Sequence, residues 1–170
     1  SFKSAYLRRH YPAEFIAAVV SNQGGYYSAF AYLSEGRRMG LTILPPDINA
    51  SAWAHTGSGT TVRVGLMQIK GLQEDLAKQI IAEREQHGPY RSLSDFVSRV
   101  KLDYAQAKLL IKAGCLDSIA GELTRPALLW RVFSAQATKP PSYIPIPAEY
   151  SAQKKLHHEL ALFGFPLHCH

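Results

Sequence analysis

A turn that occurs twice places the strongest limit on how this chain can fold. "IKGL", Ile69 to Leu72, sets a lysine and a glycine between apolar residues, and "IKAGC", Ile111 to Cys115, repeats the layout so that Gly71 recurs 43 residues later as Gly114. Glycine in such a place permits positive φ and close approach of another group to the backbone, both of which a Cβ opposes. After the first turn Leu76, Ala77, Ile80 and Ile81 recur at helical spacing from Glu74 to about Gln86, and Gly88-Pro89 ends the run. Before the second turn, Asp103 reads as the N-cap of a helix through Lys112. Two such units pack as a pseudo-symmetric pair.

Most of the remaining chain also reads as helix. Pro12 suits the first turn of a helix to about Ser21, whose apolar face is Phe15, Ile16, Val19 and Val20. Ser28 is predicted to cap a helix through Met39 that Gly40 closes, and "AGC" leads to another helical start at Leu116. Ser92 with Asp95 resembles a capping box opening a helix with Leu93, Phe96, Val97 and Val100 on one face; Thr124 caps a further helix carrying Leu128, Leu129 and Val132. Leu41 to Leu44 and Val62 to Leu66 read as two short strands that pair, with the Gly/Ser/Thr-rich His55 to Thr61 as a loop. Thr138 to Pro147 holds four prolines and reads as an extended linker, followed by a helix from about Tyr150 to Phe163.

Charge permits a polyanionic partner without requiring one. The net charge is +6 and the basic residues form separated pairs, Arg8 with Arg9, Arg37 with Arg38 and Lys154 with Lys155, so the motif has to decide. Apolar runs such as Phe15 to Val20 fall far short of the roughly 20 residues that span a bilayer, and no signal-peptide layout opens the chain; a cytoplasmic location and no membrane partner are expected. Cys115 and Cys169 are too few for a disulfide framework, so reduced thiols are expected. The chain opens without methionine and stops at "GFPLHCH" in ordered-looking sequence, which reads as a piece of something longer.

The repeated turn has a defined chemistry when it joins two helices as a helix-hairpin-helix. Unpaired amides and the partial positive charge of a helix start then face a phosphate oxygen. In the first copy Leu66 to Ile69 would end one helix, Lys70-Gly71-Leu72 would form the turn, and Glu74 would begin the next. Gln73 stands where a second glycine is common; its side chain crowds a phosphate or donates to it, while Glu74 and Asp75 suit the helix dipole and repel the anion. Either turn alone reads equally as a helix closure, with lysine complementing the dipole and glycine ending the helix.

Several stretches in order resemble the bacterial DNA polymerase III alpha subunit and its error-prone paralogues. "AYLRRHYPAEFIAAVVSNQGGYYS" resembles the family's fingers segment, and "EGRRMGLTILPPDIN" its Arg-Arg and Leu-Pro-Pro-Asp stretch. "VRVGLMQIKGL", "GPYRSLSDFVSRV" and "LIKAGCLDS" are similar to its helix-hairpin-helix region, and "ELALFGFPLHCH" to the approach to its OB-fold domain. The resemblance implies a mainly α fold: residues 1–60 a helical fingers-like segment with a small two-stranded β ribbon, 61–135 a tandem helix-hairpin-helix domain, and 136–170 a Pro-rich linker and C-terminal helix.

It further implies a DNA-directed DNA polymerase as parent, a nucleotidyltransferase using Mg2+ on palm carboxylates. Asp47, Asp75, Asp95, Asp103 and Asp117 are dispersed and do not form such a site, so no cofactor and no catalytic residue is expected on this chain and it should be inactive alone. The implied role is sequence-independent holding of primer–template duplex, with Lys70, Gly71, Leu72 and Gln73 in the first turn, Lys112, Ala113 and Gly114 in the second, and Lys78 and Arg91 as electrostatic contributors. Other polymerase domains and, through the parent, a sliding clamp and replisome proteins are the implied protein partners. Gln73 departs from the replicative pattern toward error-prone, translesion members and leaves both roles open. The competing reading is a protein-interaction scaffold whose hairpins are structural turns. His157, His158, Glu159, His168, Cys169 and His170 lack the paired spacing of a zinc site, "GSG" at 57–59 lacks the Lys-Ser/Thr of a P-loop, and Tyr26, Tyr27, Trp53 and Trp130 read first as core.

Overall fold

The structure, a computed structural model, describes residues 2–22, 26–136 and 147–167. Among these residues the order is α1 (Phe2–His10), α2 (Pro12–Asn22), α3 (Tyr26–Arg38), β1 (Thr42–Leu44), β2 (Thr56–Ser58), β3 (Thr61–Arg63), α4 (Glu74–His87), α5 (Leu93–Arg99), α6 (Tyr104–Lys112), α7 (Arg125–Gln136) and α8 (Ala152–Phe163). Two 3-10 turns, Leu66–Gln68 and Asp117–Ile119, follow β3 and α6. The fold is mainly α with a small sheet, and among the described residues no helix is long and apolar enough to cross a membrane.

Local chemistry accounts for most boundaries. Pro12 opens α2, and Ala13, Ile16, Ala17 and Val20 fall on its buried face at helical spacing. Gly40 and Gly88 adopt φ of +88° and +87° where α3 and α4 end. Ser92 accepts from the Asp95 amide at 3.1 Å, Asp103 from the Gln106 amide at 2.8 Å, and Thr124 from the Ala127 amide at 3.2 Å, so the three expected caps are made. Asp95 completes no box with Ser92; its carboxylate takes the Arg91 amide at 3.0 Å instead.

Some expectations are corrected. Helix α3 begins at Tyr26, so Ser28 lies inside its first turn and is not its cap; no breaker follows Gly25 to delay the start. Strand β3 stops at Arg63 rather than reaching Leu66, and Leu66–Gln68 is a single 3-10 turn after Gly65 in extended backbone, not the tail of an α-helix. The helical start expected at Leu116 amounts to the second 3-10 turn. Thr138 to Ile146 of the Pro-rich linker lie outside the described residues.

The two expected strands pair, and a third joins them. In the order β1-β3-β2, β1 runs parallel to β3 with Ile43 opposite Val62, and β2 antiparallel with Gly57 opposite Val62. Strand β2 lies within the stretch read as loop, because Gly57 lets it rest on α2: a Cβ there would stand 2.2 Å from the Ala13 carbonyl oxygen. The sheet straddles residue 60, with β1 and β2 before it and β3 after.

A single core joins these elements, from Ile16 and Leu33 through Val62 and Val64 to Ile80, Phe96, Leu110, Leu128 and Phe163. The α4–α5 joint is held by Arg99, which donates to Glu83 and Asp95 at 3.1 Å each and to the Gly88 carbonyl at 2.6 Å, with its guanidinium 4.4 Å from the Tyr90 ring centroid. The Tyr90 hydroxyl donates to the Ile80 carbonyl at 2.7 Å.

Candidate nucleic-acid interface

The first turn is built by residues far apart in the chain. Ile69 and Leu72 are buried and anchor it, while Lys70, Gly71 and Gln73 are exposed between and after them. Gly71 takes φ of +89°. The Lys70 amide donates to the Leu162 carbonyl of α8 at 2.9 Å, and Gln68 Nε2 donates to the Phe163 carbonyl at 3.0 Å, so the end of α8 supports the turn. On the other side Gln106 of α6 accepts from the Gln73 amide at 3.0 Å and donates to the Gly71 carbonyl at 3.1 Å. Gln73 is the N-cap of α4 without a side-chain cap bond, so the amides of Glu74, Asp75 and Leu76 have no carbonyl one turn back and point out of the helix start. Of the two acids in the first turn of α4, Glu74 and Asp75, Glu74 is paired with Lys78 at 3.1 Å.

The second turn shares the positive-φ glycine and has a different surface. Gly114 takes φ of +85°, but Ala113, Gly114 and Cys115 are buried. The amides of Ala113, Gly114 and Cys115 donate to Leu109, Ile111 and Leu110 at 3.0 Å each, and that of Asp117 to Gly114 at 3.2 Å. Arg125, itself buried, lies across the glycine; its guanidinium meets Asp117 at 3.1 and 2.7 Å and the Lys112 carbonyl at 3.4 Å. Inside a polar pair of this kind the turn closes on an internal cation. Lys112 is half-buried, and its pKa is lowered by burial first and then by Lys108 and Lys154.

The remaining expected contacts divide. Lys78 is exposed on α4 within its Glu74 pair, and Arg91 is exposed in the α4–α5 connection, where it lines a cleft of about 470 Å3 with Glu83, Asp95 and Arg99. Gln106 was not among the residues expected in the site; "DYAQ" has the Asp-x-x-Gln form of a capping box, which would turn Gln106 back on its own helix. Among the described residues no group of three His, Cys, Asp or Glu side chains is arranged to hold a metal ion. His158 and Glu159 are buried, Glu159 accepting from the Leu167 amide at 2.8 Å, and residues 168–170 lie outside the described set.

The comparisons agree with this geometry. A family model described as a helix-hairpin-helix motif matches residues 40–127. The chain is 40% identical over 123 residues to an error-prone DNA polymerase of Nocardia farcinica, matching 71% of the chain and 11% of that protein. It is 36% identical over 148 residues to an error-prone DNA polymerase of Mycolicibacterium paratuberculosis, 85% of the chain and 13% of that protein. With the DNA polymerase III subunit alpha of Thermus aquaticus the identity is 35% over 140 residues, 76% of the chain and 11% of that protein. The chain therefore spans little more than a tenth of the length of these curated relatives.

Proposed function

The chain belongs to the helix-hairpin-helix family, and from that premise we propose that it holds duplex DNA by its phosphates, without reading base sequence, as part of a DNA polymerase III alpha-like protein. The observation that supports this most is the first turn. Exposed Gly71 at φ +89° lies beside a helix start whose outward amides meet no side-chain cap, and exposed Lys70 adds positive charge at its rim. In this reading Gly71 brings the phosphate close and the amides of α4 receive it. Lys112 contributes through its side chain only, because the amides of its turn are spent within the fold. Nucleotide transfer and its magnesium belong, in this reading, to other regions of such a protein.

A second reading, a scaffold for other polymerase domains, draws on the closed second turn. Titrating the chain with duplex DNA across a salt series separates the two. Two to four phosphate contacts give a log–log slope of roughly −2 to −4, and Lys70→Ala reduces its magnitude by about one. Absence of duplex binding at low salt, or an unchanged slope in Lys70→Ala together with unchanged affinity in Gly71→Ala, would establish the scaffold instead.

A further inference from the structure

We infer that α6, α7 and α8 carry a second nucleic-acid surface, a track for single-stranded DNA on which Trp130 and Phe133 receive bases and Lys108, Lys112 and Lys154 receive phosphates. The inference takes DNA as the ligand from the reading above and goes beyond it in strand type and in place.

The aromatic part lies on the outer side of α7. Trp130 and Phe133 are 36% and 50% exposed, large apolar rings that the core leaves in solvent. They stack on each other at 5.8 Å between centroids, 27° from parallel, and Tyr104 at the start of α6 meets Phe133 edge-on at 5.8 Å. A pre-stacked pair of open rings with exposed Arg131 between them in sequence offers π-faces that any base can cover.

The basic part continues from Tyr104. One helical turn on comes Lys108 and another turn on Lys112, so the three side chains follow one face of α6. Lys154 of α8 lies 5.3 Å over the Tyr150 ring, which in turn meets His158 edge-on at 4.9 Å. Lys112 is close enough to both Lys108 and Lys154 for their charges to lower its pKa, and the buried His158 ring is held down to about 4 by burial first and then by Lys112 and Lys154. Lys112 thus stands near both the Lys108 and the Lys154 ammonium groups, a cluster of one sign that suits an anion.

The fold supplies little counter-charge. None of the three lysines has a carboxylate within salt-bridge distance among the described residues. Of the acids near the track, Asp103 accepts from the Gln106 amide, and Glu149 accepts from the amides of Arg125 and Tyr150 at 3.1 and 2.8 Å and pairs with Lys155 at 3.9 Å. Residues 137–146, outside the described set, contain no Asp or Glu. Open aromatic faces beside an uncompensated basic row match an unpaired strand, which displays both bases and phosphates; a duplex hides its base faces.

Binding of a deoxythymidine homo-oligonucleotide to the whole chain, followed by anisotropy and by quenching of tryptophan fluorescence, tests the track. Trp130→Ala is expected to weaken binding about tenfold and Phe133→Ala several-fold, while Trp130→Phe keeps a ring and most of the affinity. Lys108→Ala and Lys154→Ala should each lower the magnitude of the salt slope by about 0.7. Duplex affinity should stay unchanged in Trp130→Ala, and oligothymidine affinity unchanged in Lys70→Ala. The track is overturned if the oligonucleotide fails to bind at low salt, or if Trp130→Ala and Phe133→Ala bind it as the parent does. Duplex binding that persists in those cases leaves the first turn standing, and loss of duplex binding alone removes the first turn and leaves the track.

Discussion

Gly71 and Gly114 both hold positive φ in the two Lys-Gly turns, yet alanine should cost very different amounts at the two. Both lie in the left-handed region, at φ +89° and +85°, where a Cβ costs about 1–2 kcal/mol. At Gly71 little is added, since the nearest atom to the new Cβ is Leu109 Cδ1 at 3.4 Å, an ordinary contact. At Gly114 the Cβ would stand 2.5 Å from Arg125 Nη2 and 3.3 Å from Asp117 Oδ2, so the guanidinium has to leave its seat. Breaking a fully buried pair costs about 3–5 kcal/mol; here Asp117 is half exposed and water takes up part of the loss, which leaves roughly 1–2 kcal/mol. Gly114→Ala should therefore lower unfolding free energy by about 2–4 kcal/mol and Gly71→Ala by about 1–2 kcal/mol. Urea unfolding followed by far-UV circular dichroism measures both. Duplex affinity should reverse the order, falling in Gly71→Ala and holding in the folded fraction of Gly114→Ala. A Gly114→Ala variant no less stable than Gly71→Ala would refute the packing of Arg125 over the turn.

Acidification should act through His55, as it should through His158, whose pKa is also lowered to about 4. His55 Nδ1 accepts from the Gly65 amide at 3.1 Å, and burial lowers its pKa from 6.5 to about 4. Below pH 6.5 the unfolded chain takes up a proton that the folded chain refuses until about pH 4; stability is therefore full above this window and falls through it, by about 2 kcal/mol at pH 5. Urea unfolding of His55→Gln should show a shallower slope between pH 6.5 and 4.5, and an unchanged slope would contradict this. Gly57→Ala should lower stability by about 3 kcal/mol or more, since its Cβ would overlap the Ala13 backbone; a well-folded variant within about 1 kcal/mol of the parent would show that β2 does not rest on α2. Gln106→Ala should weaken duplex binding with only about 0.5–1 kcal/mol lost in stability, because water replaces exposed hydrogen bonds of this kind. Equal duplex affinity would mean that the first turn holds its shape without the clamp.

What could be read from the sequence was what one or two turns of chain determine. Gly40, Gly71, Gly88 and Gly114 all adopt positive φ where the pattern of apolar residues stops, and Ser92, Asp103 and Thr124 all accept the amide three residues on. The features that escaped depend on segments brought together by folding. Nothing in "GSG" shows that Gly57 meets the α2 backbone, nor in "DYAQ" that Gln106 reaches the turn at Gly71. The likeness of the two Lys-Gly turns also conceals their main difference, for Arg125 follows Gly114 by eleven residues and its role appears only when α7 packs against α6. Trp130 reads as core from its type alone, and it is the helical phase of α7 that turns it outward.

The hydrogen bonds from Lys70 and Gln68 to the last turn of α8 also have a mechanical meaning. Leu167 is tied back by its amide to Glu159 of α8 and by its carbonyl to Arg37 of α3. A pull on the chain at Leu167 is therefore shared between two helices at opposite ends of the sequence. Through α8 it loads the backbone of Lys70 directly, one residue from the glycine of the first turn. Traction at that point would be felt at Gly71 as a change in load, so that the first turn and the end of α8 act under tension as one strut.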